Sequence, residues 1–193
     1  MGAEVEIMER ASLIPMGEAL LGRVLNAFGE PLDGQPLPAS VPLRSFYSEP
    51  PNPLHRAPVD KPFITGVRAI DGLLTVGEGQ RLGVFAMAGG GKSTLLGMLA
   101  RQARSDINVI ALVGERGREV REFLEESLGP EGMARSVVVV STSDRPAMER
   151  LRAAQTATAI AEGFRAQGQR VLLMMDSVTR YARALREIGR AHV

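Results

Sequence analysis

The chain has 193 residues, with 23 Lys and Arg against 22 Asp and Glu, so no bulk charge draws it toward nucleic acid or an anionic membrane. It has no cysteine, which excludes disulfides, thiolate metal sites and a cysteine nucleophile. Its two histidines, His55 and His192, are too far apart in sequence to suggest a histidine metal site or a triad. No run of 18 apolar residues exists, and the start "MGAEVEIMER" is too charged for a signal peptide, so the expected location is the cytosol.

Three zones follow in chain order. Residues 1–35 hold the short apolar runs "AEVEIM" and "ALLGRVLNAFG" and the turn signal "EPLDG", which predict a strand or two and a connection. Residues 36–62 hold Pro36, Pro38, Pro42, Pro50, Pro51, Pro53, Pro58 and Pro62. Each proline lacks an N–H donor, so this zone is expected to be an extended linker lying on a neighbouring surface. From residue 63 strands and helices alternate. "RLGVFA" (81–86) reads as a short strand and 92–104 as a helix. "INVIALV" (107–113) reads as a buried strand and "REVREFLEESL" (118–128) as a helix with Val120, Phe123, Leu124 and Leu128 on one stripe. "SVVVVST" (136–142) is a strand. A long helix is expected from Pro146 to about Gln167, with Ser143 or Asp144 as its cap. "RVLLMMD" (170–176) is a strand and "SVTRYARALRE" a helix. Apolar strands alternating with helices predict an α/β fold, its parallel sheet covered on both faces.

Three stretches carry chemistry. "AMAGGGKST" matches the phosphate-loop pattern G-x-x-x-x-G-K-[ST], except that Ala86 takes the place of the first glycine. That position leads out of a strand, where alanine adds only a methyl group. Gly89, Gly90 and Gly91 keep the part that lets backbone N–H groups surround phosphate oxygens. Lys92 would reach the β- and γ-phosphates, and Ser93 would ligate Mg²⁺. The bland alternative is a glycine-rich turn with a stray lysine. "RVLLMMD" ends an apolar strand in Asp176, the form of a segment whose carboxylate holds Mg²⁺, usually through water. The alternative is an Asp capping the next helix. "GERGREV" puts Glu115 at a strand's carboxyl end, where it can orient the water that attacks a γ-phosphate, with Arg116 and Arg118 as cations. Glu122, Glu125 and Glu126 read as a solvated helix face.

Together "AMAGGGKST", "GERGREVREF", "STSDRPAMER" and "RVLLMMDSVTRYARALREIG" resemble the type III secretion ATPase family, a close relative of flagellar export ATPases and of the F-type and V-type catalytic subunits. "LLGRVLNAFGEPLDG" and "PVDKPFITGVRAIDGLLTVGEGQRLG" are similar to the segments leading into that family's core, so the resemblance covers about residues 13–189. The A-x-A-G-G-G-K-S-T loop is closer to the virulence-type secretion ATPases than to the flagellar G-V-G-K form. The resemblance implies a RecA-like P-loop core over 63–189, incomplete, preceded by the end of an N-terminal β-barrel (1–35) and the proline-rich linker (36–62). It implies ATP and Mg²⁺ as ligands. Phosphate binding falls to Ala88, Gly89, Gly90, Gly91, Lys92, Ser93 and Thr94. Glu115 is implied as the catalytic glutamate, with Lys92 and with Arg116 and Arg180 as γ-phosphate contacts. Ser93 is implied at the metal, with Glu119 and Asp176 holding its water shell. Family members form homohexamers in the cytoplasm, peripheral to the inner-membrane export apparatus. They work with a central stalk, a stator and chaperone–effector complexes, and release and unfold cargo.

Two departures matter. The chain is much shorter than a complete family member. The pattern's remaining core strands, its arginine finger, its adenine-facing aromatic and its C-terminal helical domain have no counterpart here, so the chain alone is expected to bind nucleotide weakly and turn over little. The final "REIGRAHV" also leaves the pattern after "REIG". One frame of a common short-read library adapter encodes Ile-Gly-Arg-Ala-His-Val and a stop, so residues 190–193 are expected to be a non-native tail, and His192 to have no role. Two other classes share the core. A RecA-like nucleic-acid motor is disfavoured by the neutral charge and the lack of an aromatic and basic stripe, so no nucleic-acid partner is expected. A non-catalytic nucleotide-binding subunit is disfavoured by Glu115.

Overall fold

The computed structural model describes residues 12–87 and 89–190, with Arg190 through its backbone alone. Ala88, residues 191–193 and the run "AEVEIM" lie outside the described residues.

In chain order the elements are β1 (Leu13–Pro15), β2 (Val24–Leu25), β3 (Leu43–Ser45), β4 (Pro62–Phe63), α1 (Arg68–Leu73) and β5 (Val76–Gly77). Then come α2 (Lys92–Gln102), β6 (Ile107–Val113), α3 (Gly117–Glu122) and a π-helical turn (Phe123–Leu128) that runs into α4 (Gly129–Ala134). β7 (Ser136–Ser141), α5 (Ala147–Ala166), β8 (Val171–Asp176) and α6 (Val178–Arg190) complete the chain. The central sheet has the order β2-β7-β6-β8 and is parallel throughout, as the alternation of apolar strands and helices predicts. β1 pairs with β3 and β4 with β5 in two small antiparallel ladders.

Every residue of β6 and β7 is buried, because the sheet is covered on both faces. Side chains alternate between the faces with period two. Val109, Ala111, Val113, Val137 and Val139 point to one core with α5 and the segment from Ile14 to Ala27. Ile110, Leu112, Val138 and Val140 point to the other, with Leu96, Leu99, Val120, Phe123 and Leu128. α5 presents Ala153, Ala154, Ala157 and Ala161 to the first core, small side chains that let the helix lie close to the sheet. Thr156 Oγ1 of α5 donates to the Ala27 carbonyl at 2.6 Å, fixing the chain just after β2.

The proline-rich zone is largely irregular and exposed. It is anchored on α5 by Phe46, over whose ring the Arg152 guanidinium sits at 3.1 Å, and by Ser48 Oγ, which donates to Glu162 at 2.6 Å.

Three expectations change. Residues 81–86 form no strand: a strand exists through ladder hydrogen bonds with a neighbour, and among the described residues none lies beside this segment. Phe85 is 96% exposed as a result. The helix expected over 118–128 is α-helical only to Glu122, then widens into the π-helical turn. There α2 presses against it at Gly97, where a Cβ would stand 2.3 Å from the Ser127 carbonyl oxygen. α5 begins at Ala147 with Pro146 as N-cap, and neither Ser143 nor Asp144 caps it through a side chain.

Candidate functional site

The site lies at the carboxyl ends of β6 and β8, where ligands bind in open parallel sheets. The loop before α2 is glycine because its backbone demands it: Gly89 and Gly91 have φ of 77° and 79°, the left-handed region. Gly91 is the N-cap of α2, so Lys92, Ser93 and Thr94 form the first turn. Their backbone N–H groups have no intrahelical acceptor and point out of the helix start, toward where an anion would sit.

From the ends of β6 and β8 come the carboxylates. Glu115 follows β6, with Gly114 N–H bonded to Ser141 carbonyl at 2.6 Å and the Glu115 carbonyl accepting from Ser143 N–H at 3.0 Å, so β7's end holds this turn in place. Asp176 is the last residue of β8 and 5% exposed. Two ion pairs link these groups: Lys92 Nζ donates to Asp176 Oδ1, and Arg180 Nη1 of α6 donates to Glu115 Oε1. Glu119 in α3 accepts from the Arg116 guanidinium at 2.9 Å.

Two cavities share Ser93, Glu115 and Glu119. The larger, about 560 Å³, is also lined by Gly89, Gly90, Gly91, Lys92, Thr94, Arg116 and Arg180, a volume within the range that holds small ligands. The smaller, about 170 Å³, holds Asp176 against Leu112, Val120 and Phe123. The structure therefore brings together the described residues that the sequence nominates, with the exception of Arg118. Ala88 lies outside the described residues. Arg118 lines neither cavity.

Sequence reasoning missed Glu122 and Glu126, assigned above to a solvated face. They remain exposed but line the smaller cavity. The signal was present: Glu119, Glu122 and Glu126 are spaced i, i+3, i+7, one face of a helix. Among the described residues no three His, Cys, Asp or Glu side chains cage a metal ion by themselves. The oxygen donors that are present, Ser93 hydroxyl with the Asp176 and Glu119 carboxylates, suit Mg²⁺, which takes one or two carboxylates and keeps waters and phosphate oxygens as its other ligands.

Comparisons with known proteins give the family and the fold. The model of the ATP synthase alpha/beta family, nucleotide-binding domain, matches residues 66–192. A flagellum-specific ATP synthase of Bacillus subtilis is 59% identical over 190 residues, covering 98% of this chain and 43% of the relative. A type 3 secretion system ATPase of Xanthomonas euvesicatoria is also 59% identical, over 182 residues, 94% of this chain and 41% of the relative. Overall identity thus does not separate the two kinds of relative, and the chain spans about two fifths of their length. A solved type III secretion ATPase of pathogenic bacteria superposes with a TM-score of 0.88 at 58% identity, over 94% of this chain and 52% of that one. The E. coli ATPase EscN, assembled with its central stalk EscO, gives a TM-score of 0.86 at 58% identity, over 94% of this chain and 45% of that one. By its strands, its glycine loop and its match over 66–192, the chain belongs to the ATP synthase alpha/beta family, within the nucleotide-binding domain.

Proposed function

We propose that this chain is the nucleotide-binding part of an ATPase that powers protein export by a type III secretion system, releasing chaperones and unfolding cargo. The observation that carries the nucleotide reading is the convergence of Lys92 and Ser93 at the start of α2 with Glu115 after β6, Asp176 at the end of β8 and Arg180 in α6, on adjoining cavities. Backbone N–H groups of the glycine loop and of the first turn of α2 bind phosphate oxygens, and Lys92 supplies the counter-charge. Arg116 and Arg180 hold the terminal phosphate. Glu115, once Arg180 has left it for phosphate, orients the attacking water and takes its proton. Ser93, with waters on Asp176 and Glu119, would hold Mg²⁺, which would supply charge neutralisation at the phosphates.

The finer assignment to virulence-type secretion rests on the A-x-A-G-G-G-K-S-T loop. A flagellar export role is the second reading, favoured by the equal identity to the Bacillus subtilis relative. Assembly as a homohexamer, engagement of a central stalk and stator, and a cytoplasmic position at the inner-membrane apparatus belong to the same proposal. Assembly and engagement of a central stalk are supported by EscN, which was solved assembled with its stalk EscO. Among the described residues no helix is long and apolar enough to cross a membrane.

The test uses the full-length protein that this sequence belongs to. It should release phosphate from ATP in Mg²⁺ and bind a secretion chaperone in pull-down. Absence of both ATP hydrolysis and nucleotide binding would refute the ATPase reading. Rescue of motility in a strain lacking the flagellar enzyme, without rescue of effector secretion, would move the assignment to the flagellar branch.

A further inference from the structure

The run "STSDRPAMER" (141–150) contributes no residue to the lining of either cavity, yet it is bonded to the elements on both sides of the Arg180–Glu115 pair. At one end the Ser141 carbonyl accepts from Gly114 N–H at 2.6 Å, and Ser143 N–H donates to the Glu115 carbonyl at 3.0 Å. At the other end Arg150 Nε donates to the Arg145 carbonyl at 3.1 Å, and Arg150 Nη2 donates to the Glu187 carboxylate of α6. One guanidinium thus ties the loop before α5 to α6. The Arg150 side chain is 14% exposed, so its fork rests on two fixed acceptors with little water to replace them.

α6 has few other constraints on its rotation. Among its described side chains only Ala184 is buried, with Tyr181 packed partly buried against the first core. Glu187 follows Arg180 by seven residues, close to two full helical turns, so both side chains leave α6 on one face and turn together. The Arg180 stem crosses the Gly114 backbone on its way to Glu115: a Cβ at Gly114 would stand 2.9 Å from Arg180 Cδ. A small rotation of α6 therefore shifts Arg180 off the turn that carries Glu115.

We propose that residues 141–150 act as a bracket that sets where Arg180 stands relative to Glu115, with Arg150 as a positioning residue for hydrolysis. This rests on the roles given above to Glu115 and Arg180, and adds how their spacing is fixed.

Single-turnover and steady-state ATP hydrolysis by the full-length protein, with titration of N-methylanthraniloyl-ADP beside them, test the bracket. Arg150→Ala should lower kcat by about ten- to a hundredfold, the scale of a misplacement near 1 Å. Its affinity for the ADP probe should match wild type, because that probe lacks the terminal phosphate that Arg180 and Glu115 serve. Arg180→Ala should lower kcat too, and in that background Arg150→Ala should add less than about twofold, since the two residues act through one another. A merely structural role for Arg150 makes the two losses multiply. Glu187→Ala removes the outer end of the tie at a side chain that is 53% exposed, and it decides the matter if Arg150→Ala fails to fold. Its kcat should fall by about threefold or more, again with wild-type ADP affinity and with no further loss beside Arg180→Ala. Wild-type kcat in Arg150→Ala or in Glu187→Ala overturns the bracket. So do losses that multiply with Arg180→Ala, or a fall in ADP affinity equal to the fall in kcat. Wild-type kcat in Arg180→Ala overturns the role of Arg180 itself and the bracket with it, whereas a silent Arg150 beside an impaired Arg180→Ala overturns only the bracket.

Discussion

The two ends of the central strands solve opposite problems with similar residue types. At the amino ends the buried side chains Ser105, Asn108 and Ser136 bond one another and backbone carbonyls, and the Asp106–Arg170 ion pair lies exposed beside them. Asn108 Nδ2 donates to the Ala100 carbonyl at 2.7 Å and to Ser136 Oγ at 3.3 Å, while its Oδ1 accepts from Ser105 Oγ at 2.8 Å. Ser136 Oγ in turn donates to the Gly132 carbonyl at 2.6 Å. Asp106 and Arg170 clamp the starts of β6 and β8, with the Arg170 backbone N–H donating to Asp106 at 2.8 Å. At the carboxyl ends the side chains meet as whole charges, Lys92 with Asp176 and Arg180 with Glu115. A neutral, satisfied network has no group that a ligand could take. An ion pair of separable charges has two. The amino end therefore fixes the backbone, and the carboxyl end remains open to competition from a charged ligand.

The largest expected effect falls at the carboxyl end. Glu115→Gln in the full-length protein should cut ATP turnover by about 10²- to 10⁴-fold, the usual contribution of a general base, while nucleotide still binds. Phosphate release and nucleotide titration read the two separately, and unchanged turnover would remove Glu115 from its role. Asn108→Ala should do the converse. It strips partners from the Ser105 and Ser136 hydroxyls and from the Ala100 carbonyl, at a cost of about 2–3 kcal/mol of stability. Its Tm should fall and its nucleotide affinity stay. If affinity fell with stability, the two ends would not be separable in this way.

Gly97→Ala probes the contact that joins them. The new methyl would meet the Ser127 carbonyl oxygen, a backbone atom, at 2.3 Å, so one element must move. A loss of about 1–3 kcal/mol is expected from overpacking. Because α2 carries Lys92 and Ser93 at its start, nucleotide affinity should fall as well. The smallest effect lies at neither end. Arg23 holds Asp33 down to about 2 from the ordinary 3.8, through its side-chain hydrogen bonds, one of them at 2.7 Å. A depressed carboxylate stabilises the fold above its unfolded value and loses that contribution as pH falls from about 3.8 through about 2. Acid unfolding curves of wild type and Asp33→Asn should converge below that window. Above it they should differ by no more than about 1 kcal/mol, as for other surface pairs.

What could be read from the sequence was whatever local pattern encodes. β6, β7 and β8 show as apolar runs and α5 as a long alanine-rich helix, and the phosphate loop keeps its register even with Ala86 in it. β2 could not be identified as a core strand: two residues, Val24 and Leu25, carry no periodicity, and their partners Val138 and Val139 are more than a hundred residues away. The failure at 81–86 has the opposite cause. Its sequence favours a strand, but a strand also needs a neighbour, which composition does not report. The ion pairs were out of reach for the same reason, since Lys92 and Asp176 are 84 residues apart and Glu115 and Arg180 are 65 apart. The sequence nominates each charge but not which carboxylate each cation rests on.

The outer edge of β8 bears on how the protein must be handled. Among the described residues β8 pairs only with β6, and Leu173 on it is 38% exposed. An unpaired edge of apolar residues is a template for another strand, and a second copy of the same chain offers one in solution. Self-association should therefore grow with concentration through main-chain pairing. Stoichiometry and binding curves measured for this chain need a dilution series before they describe the nucleotide site rather than the edge.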